Sequence, residues 1–393
     1  MIKEDEKRDR KTIQKREGKK GPKNGKILQG QKPLKSEPSL KRKDIKRLFW
    51  VYWTVLRGES VPPWAEGVRA PEEESRAAAK AAARDWPIQW SQSYPAWFEE
   101  LVVAEVGPEK WNRLAVALNE PTSVILRVNA LRGTRDQVLA ELRAEGIDVE
   151  LSDVGPWALR VVGRPSLTKT AAFARGAFEV QDGGSQRIAP FVEARPGMKI
   201  LDACSGAGGK TLQLAAEAGN AAEIIAMDVE PFKLKELEKR AERAGVSSIR
   251  TALIKTARDV QRLEGWADAV LLDVPCSGTG VIRRDVDTKW KLRPEHLERN
   301  QDMQAQILRT YPDALKVGGR LVYATCSVLP QENEDIANAF SNSHPDFVVL
   351  PVMDELTRLK VANAQSLCQG DFLRLWPHRQ GTDGFFAAVW VRK

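Results

Sequence analysis

Cysteine is scarce in this sequence: four in 393 residues, at 204, 276, 326 and 368, with no C-x-x-C pair among them. No zinc-type ligand spacing is therefore present and no bound metal is expected. No apolar run approaches the length of a bilayer span, and the first residues are charged with no signal-peptide core. These absences point to a cytoplasmic protein without a membrane partner, its thiols free for chemistry. No internal repeat is evident, and a monomer is expected.

Positive charge is concentrated in one place. Residues 1–47 hold 18 Lys or Arg against 7 Asp or Glu, a net +11, and no aromatic residue. The whole chain carries +8, so the remainder carries −3. Such a segment cannot bury a core and reads as a disordered basic tail, able to neutralise nucleic-acid phosphates without reading sequence. Residues 48–120 read as a helical segment, including "PEEESRAAAKAAARDW" and two short helices split at Gly107-Pro108, with Trp97, Phe98, Leu101 and Val102 facing a core. Residues 121–176 read as a small α+β module with strands at "SVILRVNAL" and "WALRVVG" and a helix N-capped by Thr134. Arg127, Arg132 and Arg160 suit it either to gripping a nucleic acid or simply to packing against the main domain.

From 177 to 393 strands and helices alternate, which calls for a doubly wound α/β sheet, largely parallel and covered on both faces. Its first strand runs into "LDACSGAGGKT" (201–211), a strand–glycine loop–helix that offers backbone N–H groups to a ligand. A P-loop would need glycine at position 204, where Cys204 stands, so that reading fails. Asp228 closes the second strand and can accept the hydroxyls of a ribose, in NAD or S-adenosylmethionine alike.

Two cysteines sit alike: Cys276 in "DVPCSGTG" and Cys326 in "ATCSVLPQENED", each after an apolar strand and each followed by serine. Parallel strands end on one edge, so the thiols are expected to converge beside the cofactor loop, with Asp273 three residues before the first. A thiol, an acid and a nucleoside cofactor together suit methylation at carbon 5 of a pyrimidine. A thiolate adding to carbon 6 makes carbon 5 nucleophilic, and an acid at N3 stabilises the developing charge.

The segments "SYPAWFEELV", "LRVNAL", "FEVQDGGSQ", "LDACSGAGGKT", "LLDVPCSGTGVIRRDVDTKW", "LVYATCSVLPQENED" and "GTDGFFAAVW" resemble the Sun-type family of RNA cytosine-5 methyltransferases, in particular its small-subunit ribosomal RNA branch. DNA cytosine methyltransferases lack the second cysteine motif. The resemblance implies a Rossmann-like class I methyltransferase sheet, S-adenosylmethionine as cofactor and ribosomal RNA as partner. It implies Cys326 as nucleophile, Cys276 assisting product release and Asp273 contacting base and cofactor. Cys204, Ser205, Gly206, Ala207, Gly208, Gly209 and Lys210 would hold the methionine end and Asp228 the ribose. RNA contacts are expected at Arg127, Asn129, Gln181, Asp182, Ser185, Arg283 and Arg284. Two departures stand out: Ser205, Gly206 and Ala207 replace the family's Ala-Ala-Pro, and Thr256 replaces its adenine-contacting acid, leaving either Thr256 or Asp259 for that contact. The family's branch also carries a fuller helical RNA-binding domain, of which residues 48–90 could hold only the last portion. Readings of a different class are a non-catalytic RNA-binding or assembly factor on a methyltransferase fold, and an NAD-linked oxidoreductase, which leaves both cysteine motifs unexplained.

Overall fold

Gly107 takes a positive φ of 78° and Pro108 follows at the first helical position, so the aromatic-rich stretch forms two helices instead of one. These are α1 (Ala96–Val106) and α2 (Pro108–Ala117). The computed structural model describes residues 92–393 other than Ala257. The expected basic tail and the helix at "PEEESRAAAKAAARDW" lie outside the described residues. Phe98, Val102, Trp111 and Leu114 pack with Ile282, Leu297, Val328, Leu329 and Trp376, so the helical pair shares its core with the C-terminal part of the chain.

The small module is an antiparallel sheet in the order β2-β3-β1-β4, from β1 (Val124–Val128), β2 (Val149–Leu151), β3 (Ala158–Val161) and β4 (Phe178–Val180). Its sheet therefore runs past the expected boundary at 176, and β2 is a strand the apolar pattern did not reveal. One face is covered by α3 (Arg135–Ala144), whose N-terminus carries the expected Thr134 cap, completed by Gln137 as a capping box.

The remaining strands form one sheet: β5 (Lys199–Asp202), β6 (Glu223–Asp228), β7 (Ile249–Leu253), β8 (Ala267–Asp273), β9 (Leu315–Thr325), β10 (Phe347–Val349), β11 (Cys368–Gln369), β12 (Phe372–Leu375) and β13 (Phe385–Arg392). Their order is β11-β12-β13-β9-β8-β5-β6-β7, with β10 beside β13. Strands β5 to β9 are parallel, as the strand–helix alternation requires. Beyond β9 the sheet turns antiparallel through β13, β12, β11 and β10. Successive strand residues enter opposite cores. Ile200, Ala269, Leu271 and Val322 lie on one side, while Leu201, Val270, Leu272 and Tyr323 lie on the other. Helices α4 (Gly209–Glu217), α5 (Pro231–Ala244), α6 (Pro294–Thr310) and α7 (Glu334–Ser343) connect the strands.

The module is fastened to the last turn of α5. Asn129 Nδ2 and Arg132 Nε both donate to the Ala244 carbonyl, at 3.0 and 3.1 Å, satisfying an acceptor that a helix end leaves open. Glu179 on β4, buried, receives Arg240 at 2.8 Å and also Arg243. Arg127 reaches the Gly209 carbonyl at 2.7 Å and the side chain of Gln181. Arg127 and Asn129 are 5% and 6% exposed. Both were expected at the RNA. In this structure their polar atoms bond within the chain and hold the module against the large sheet, the second of the two readings the sequence left open. Removing one partner of a buried ion cluster leaves the others uncompensated, so Glu179→Ala should cost about 3 kcal/mol, read as a lower denaturation midpoint in urea; Glu179→Gln should cost less.

Candidate active site

The site is built where β5, β6, β8 and β9 end. After β5 the chain turns through residues 203–208 into α4. Gly208 has φ 85°, and a Cβ there would lie 2.5 Å from Leu237 Cγ, so neither the backbone angle nor the space admits a side chain. Asp228, at the end of β6, accepts from the N–H of Gly206 through Oδ2 and of Glu230 through Oδ1, both at 2.9 Å. Its carboxylate is thus locked against the glycine loop. Lys210, in the first turn of α4, reaches across to Asp273 at 2.6 Å and lies over the Phe385 ring at 5.2 Å. The loop, the end of β6 and the end of β8 form one cradle.

Beneath it lies Asp202, the last residue of β5, which sequence reasoning did not pick out as a site residue. Thr211 donates to its Oδ2 at 2.6 Å, while Oδ1 is buried with no partner, as is the hydroxyl oxygen of Ser205. Burial pushes the Asp202 carboxyl up to about 7. Two buried polar oxygens without partners, at a loop of backbone N–H groups, fit a cofactor carrying an ammonium group. Burial also pushes the Cys204 thiol far above its usual range, so Cys204 is inert and contributes backbone only.

The two expected cysteines meet. Cys276 Sγ and Cys326 Sγ are 3.3 Å apart, at the exits of β8 and β9, which pair in parallel with Asp273 opposite Ala324. Their loops are tied by buried hydroxyls: Ser277 Oγ lies 3.2 Å from Thr279 Oγ1 and 3.3 Å from Ser327 Oγ, and Thr279 Oγ1 is 3.0 Å from Ser327 Oγ. The Gly280 N–H donates to the Cys326 carbonyl at 2.9 Å, and Gly384 donates to the Gly280 carbonyl at 2.9 Å. Ser277, Thr279, Ser327, Glu332 and Asn333 were all missed as site residues. The serine after each cysteine was the visible signal for the first and third.

The other expected residues divide. Gln181 and Ser185 bond to each other at 3.1 Å, with Gln181 beside Arg127 and Gln213. Asp182 caps a short turn through Gly184 N and receives Arg284 at 2.7 Å. Arg283 and Arg284 are clamped by Asp383, and the Arg283 side chain is 5% exposed. Arg284 keeps a 36% exposed side chain. Thr256 and Asp259 stand in one turn. Asp259 Oδ2 accepts from the Thr256 N–H at 2.9 Å and the Lys255 N–H at 3.0 Å, which hold its carboxyl below the usual range. They form one turn beyond β7, close in sequence to Ile254, whose N–H bonds the Asp228 carbonyl.

A model of the family described as 16S rRNA methyltransferase RsmB/F matches residues 189–391, and the ferredoxin-like domain of that family matches 94–168. The chain belongs to this family of S-adenosylmethionine-dependent RNA methyltransferases. Among RsmB/F relatives, the probable ribosomal RNA small subunit methyltransferase B of Bacillus subtilis is 31% identical over 302 residues, covering 77% of this chain and 67% of its own. The ribosomal RNA small subunit methyltransferase B of Photorhabdus laumondii is 35% identical over 290 residues, covering 72% and 62%. The chain thus spans about two thirds of the length of these relatives. The RsmB/F sheet is also shared with a methyltransferase homolog protein from Pyrococcus horikoshii, at TM-score 0.66 and 25% identity, over 78% of this chain and 98% of that one. Among the described residues no helix is long and apolar enough to cross a membrane.

A side chain at Gly280 would run into the carbonyls of Gly384 and Cys326. Gly280→Ala is therefore expected to cost ~2 kcal/mol and to displace Cys326. A lowered Tm with slowed methyl transfer would show this, and an unchanged Tm would refute the close approach.

Proposed function

We propose that the chain methylates carbon 5 of a cytosine in small-subunit ribosomal RNA, with Cys326 as nucleophile and Cys276 as the group that resolves the adduct. The observation that carries this reading is the 3.3 Å approach of two thiols at the ends of adjacent parallel strands, beside the Lys210–Asp273 pair. S-adenosylmethionine supplies an electrophilic methyl group when bound. Asp228, the 204–210 loop, Asp202 and Ser205 are the residues suited to holding it, with Thr256 and Asp259 at the far side. Asp273 orients the base and Lys210 balances its charge.

Cys326 as thiolate adds to carbon 6 of the cytosine, and the ring becomes an enamine whose carbon 5 can take a methyl group. Cys276, after releasing its own proton to solvent, removes the carbon 5 proton as a thiolate, and the carbon 6–sulfur bond breaks with return of the electron pair to Cys326. Cys276 starts as a thiol: its hydrogen bond with Cys326, burial and the nearby Glu332 carboxylate all raise it well above the usual range. Phosphate contacts are assigned to the basic segment 1–47 and to Arg284. A cytoplasmic, monomeric enzyme without metal is part of the same reading.

Incubation with small-subunit RNA and tritiated S-adenosylmethionine, followed by nucleoside digestion, should place label in 5-methylcytidine. Cys326→Ala should abolish label while RNA still binds. Cys276→Ala should accumulate a protein–RNA adduct visible as a gel shift. Label elsewhere, or full turnover by Cys326→Ala, would sink the assignment. Cofactor binding itself should weaken as pH falls below about 7, because an ammonium is held by the ionised form of Asp202, which protonates as pH drops through that value. The limiting slope is about tenfold per unit, and Asp202→Asn should flatten it, both read by calorimetric titration without turnover.

A further inference from the structure

Glu332 is completely buried, and among the described residues no Lys or Arg forms an ion pair with it. Its Oε1 accepts from the Ser277 N–H at 2.8 Å, and from Asn300 Nδ2 and Gln304 Nε2 at 3.2 Å each. Its Oε2 accepts from the Ser277 hydroxyl. The Tyr323 hydroxyl donates to its main-chain carbonyl at 2.7 Å. Burying a carboxylate costs several kcal/mol, and neutral donors recover only part of that. A tie between two loops needs no charge: the adjoining bonds among Ser277, Thr279 and Ser327 make one from hydroxyls alone.

The carboxylate is also placed unevenly. Ser277, the residue after Cys276, gives both its N–H and its hydroxyl to Glu332. Ser327, the residue after Cys326, gives its N–H to Thr325 Oγ1 at 3.2 Å and lies among hydroxyls. An uncompensated negative charge therefore sits on the side of one thiol of an otherwise matched pair.

We propose that Glu332 assigns the two thiols their roles, its negative charge keeping Cys276 protonated so that the neighbouring Cys326 is the one that ionises and attacks. Glu332 touches no substrate in this scheme; it is a positioning residue acting through Cys276. The groups facing Cys276 are Cys326 from the end of β9, Glu332, the buried Tyr323 phenol and the N–H of Gly278. Of these, Cys326 and Glu332 raise its pKa and the Gly278 N–H lowers it. The inference rests on the reading of Cys326 as nucleophile, and it adds what separates the two sulfurs.

The test is the pH profile of iodoacetamide alkylation, with Cys276, Cys326 and the distant Cys368 resolved as separate peptides by mass spectrometry. In Glu332→Gln the Cys276 midpoint should fall by about one pH unit, so alkylation near neutral pH speeds about tenfold, while Cys368 does not change. If Glu332→Gln does not fold, Asn300→Lys sets a cation against the carboxylate without deleting it and should move Cys276 in the same direction. Faster alkylation of both cysteines with unmoved midpoints would mean simple loosening and would overturn the proposal, as would an unchanged Cys276 profile in a folded variant. The readout uses neither RNA nor cofactor. A shifted Cys276 together with methylation by Cys326→Ala would therefore leave the electrostatic effect standing and remove the nucleophile assignment instead.

Discussion

Parallel pairing of β8 with β9 is the constraint on which the site depends. Parallel neighbours leave the sheet on the same edge and in the same direction, so whatever follows each strand is delivered to one place. Here Asp273 stands opposite Ala324, and three residues after the one and two after the other come Cys276 and Cys326. An antiparallel pair would send the two sulfurs to opposite ends of the molecule. The antiparallel strands are confined to the flank beyond β9, where they extend the sheet without disturbing that edge.

Strand ends bring the sulfurs to the same neighbourhood; a separation of 3.3 Å needs more. The buried hydroxyls of Ser277, Thr279 and Ser327, the N–H of Gly280 on the Cys326 carbonyl and the Arg374 guanidinium on the Val328 carbonyl at 2.9 Å fix the two loops to each other. Each is a modest net contribution of about 1 kcal/mol. Their common value is rigidity, since thiols on mobile loops would lose the alignment that the proton transfer requires. The Asn129, Arg132 and Glu179 contacts do the same at larger scale, making the small module and the sheet one support for the cofactor loop through Arg127 and Gly209.

What was legible in the sequence follows from what local pattern can encode. Cys276, Cys326, Asp273, Asp228 and the glycine loop stand at strand ends, and an apolar run stopping at a turn announces a strand end. The helices α1 to α7 were visible through breaks and caps such as Gly107-Pro108 and Thr134. The partners of the arginines were not legible, because a positive charge in a sequence does not say which acid it faces. Arg283 faces Asp383, a hundred residues away, and Arg127 faces a backbone carbonyl. β2, β11 and β12 are two to four residues long and carry no readable alternation. Asp202 and Glu332 were hidden for another reason: their importance lies in burial without a cation, which only the folded arrangement reveals.

The same burial explains how two chemically identical groups can act in sequence. The strongest influence raising Cys276 is its hydrogen bond with Cys326, followed by burial and by the Glu332 carboxylate. In the proposed adduct Cys326 is a thioether, which can neither carry charge nor donate a proton, so the first influence would be lost while burial and Glu332 remain. The proposed mechanism needs that change, because Cys276 has to lose its own proton before it can take the one on carbon 5. Had Cys276 been ionised from the start, two thiolates 3.3 Å apart would repel at ~4 kcal/mol or more in a partly buried setting, and neither would be held in place. In the proposed mechanism a fixed charge beside one sulfur and a reactive role for the other would order the two proton movements without any moving part.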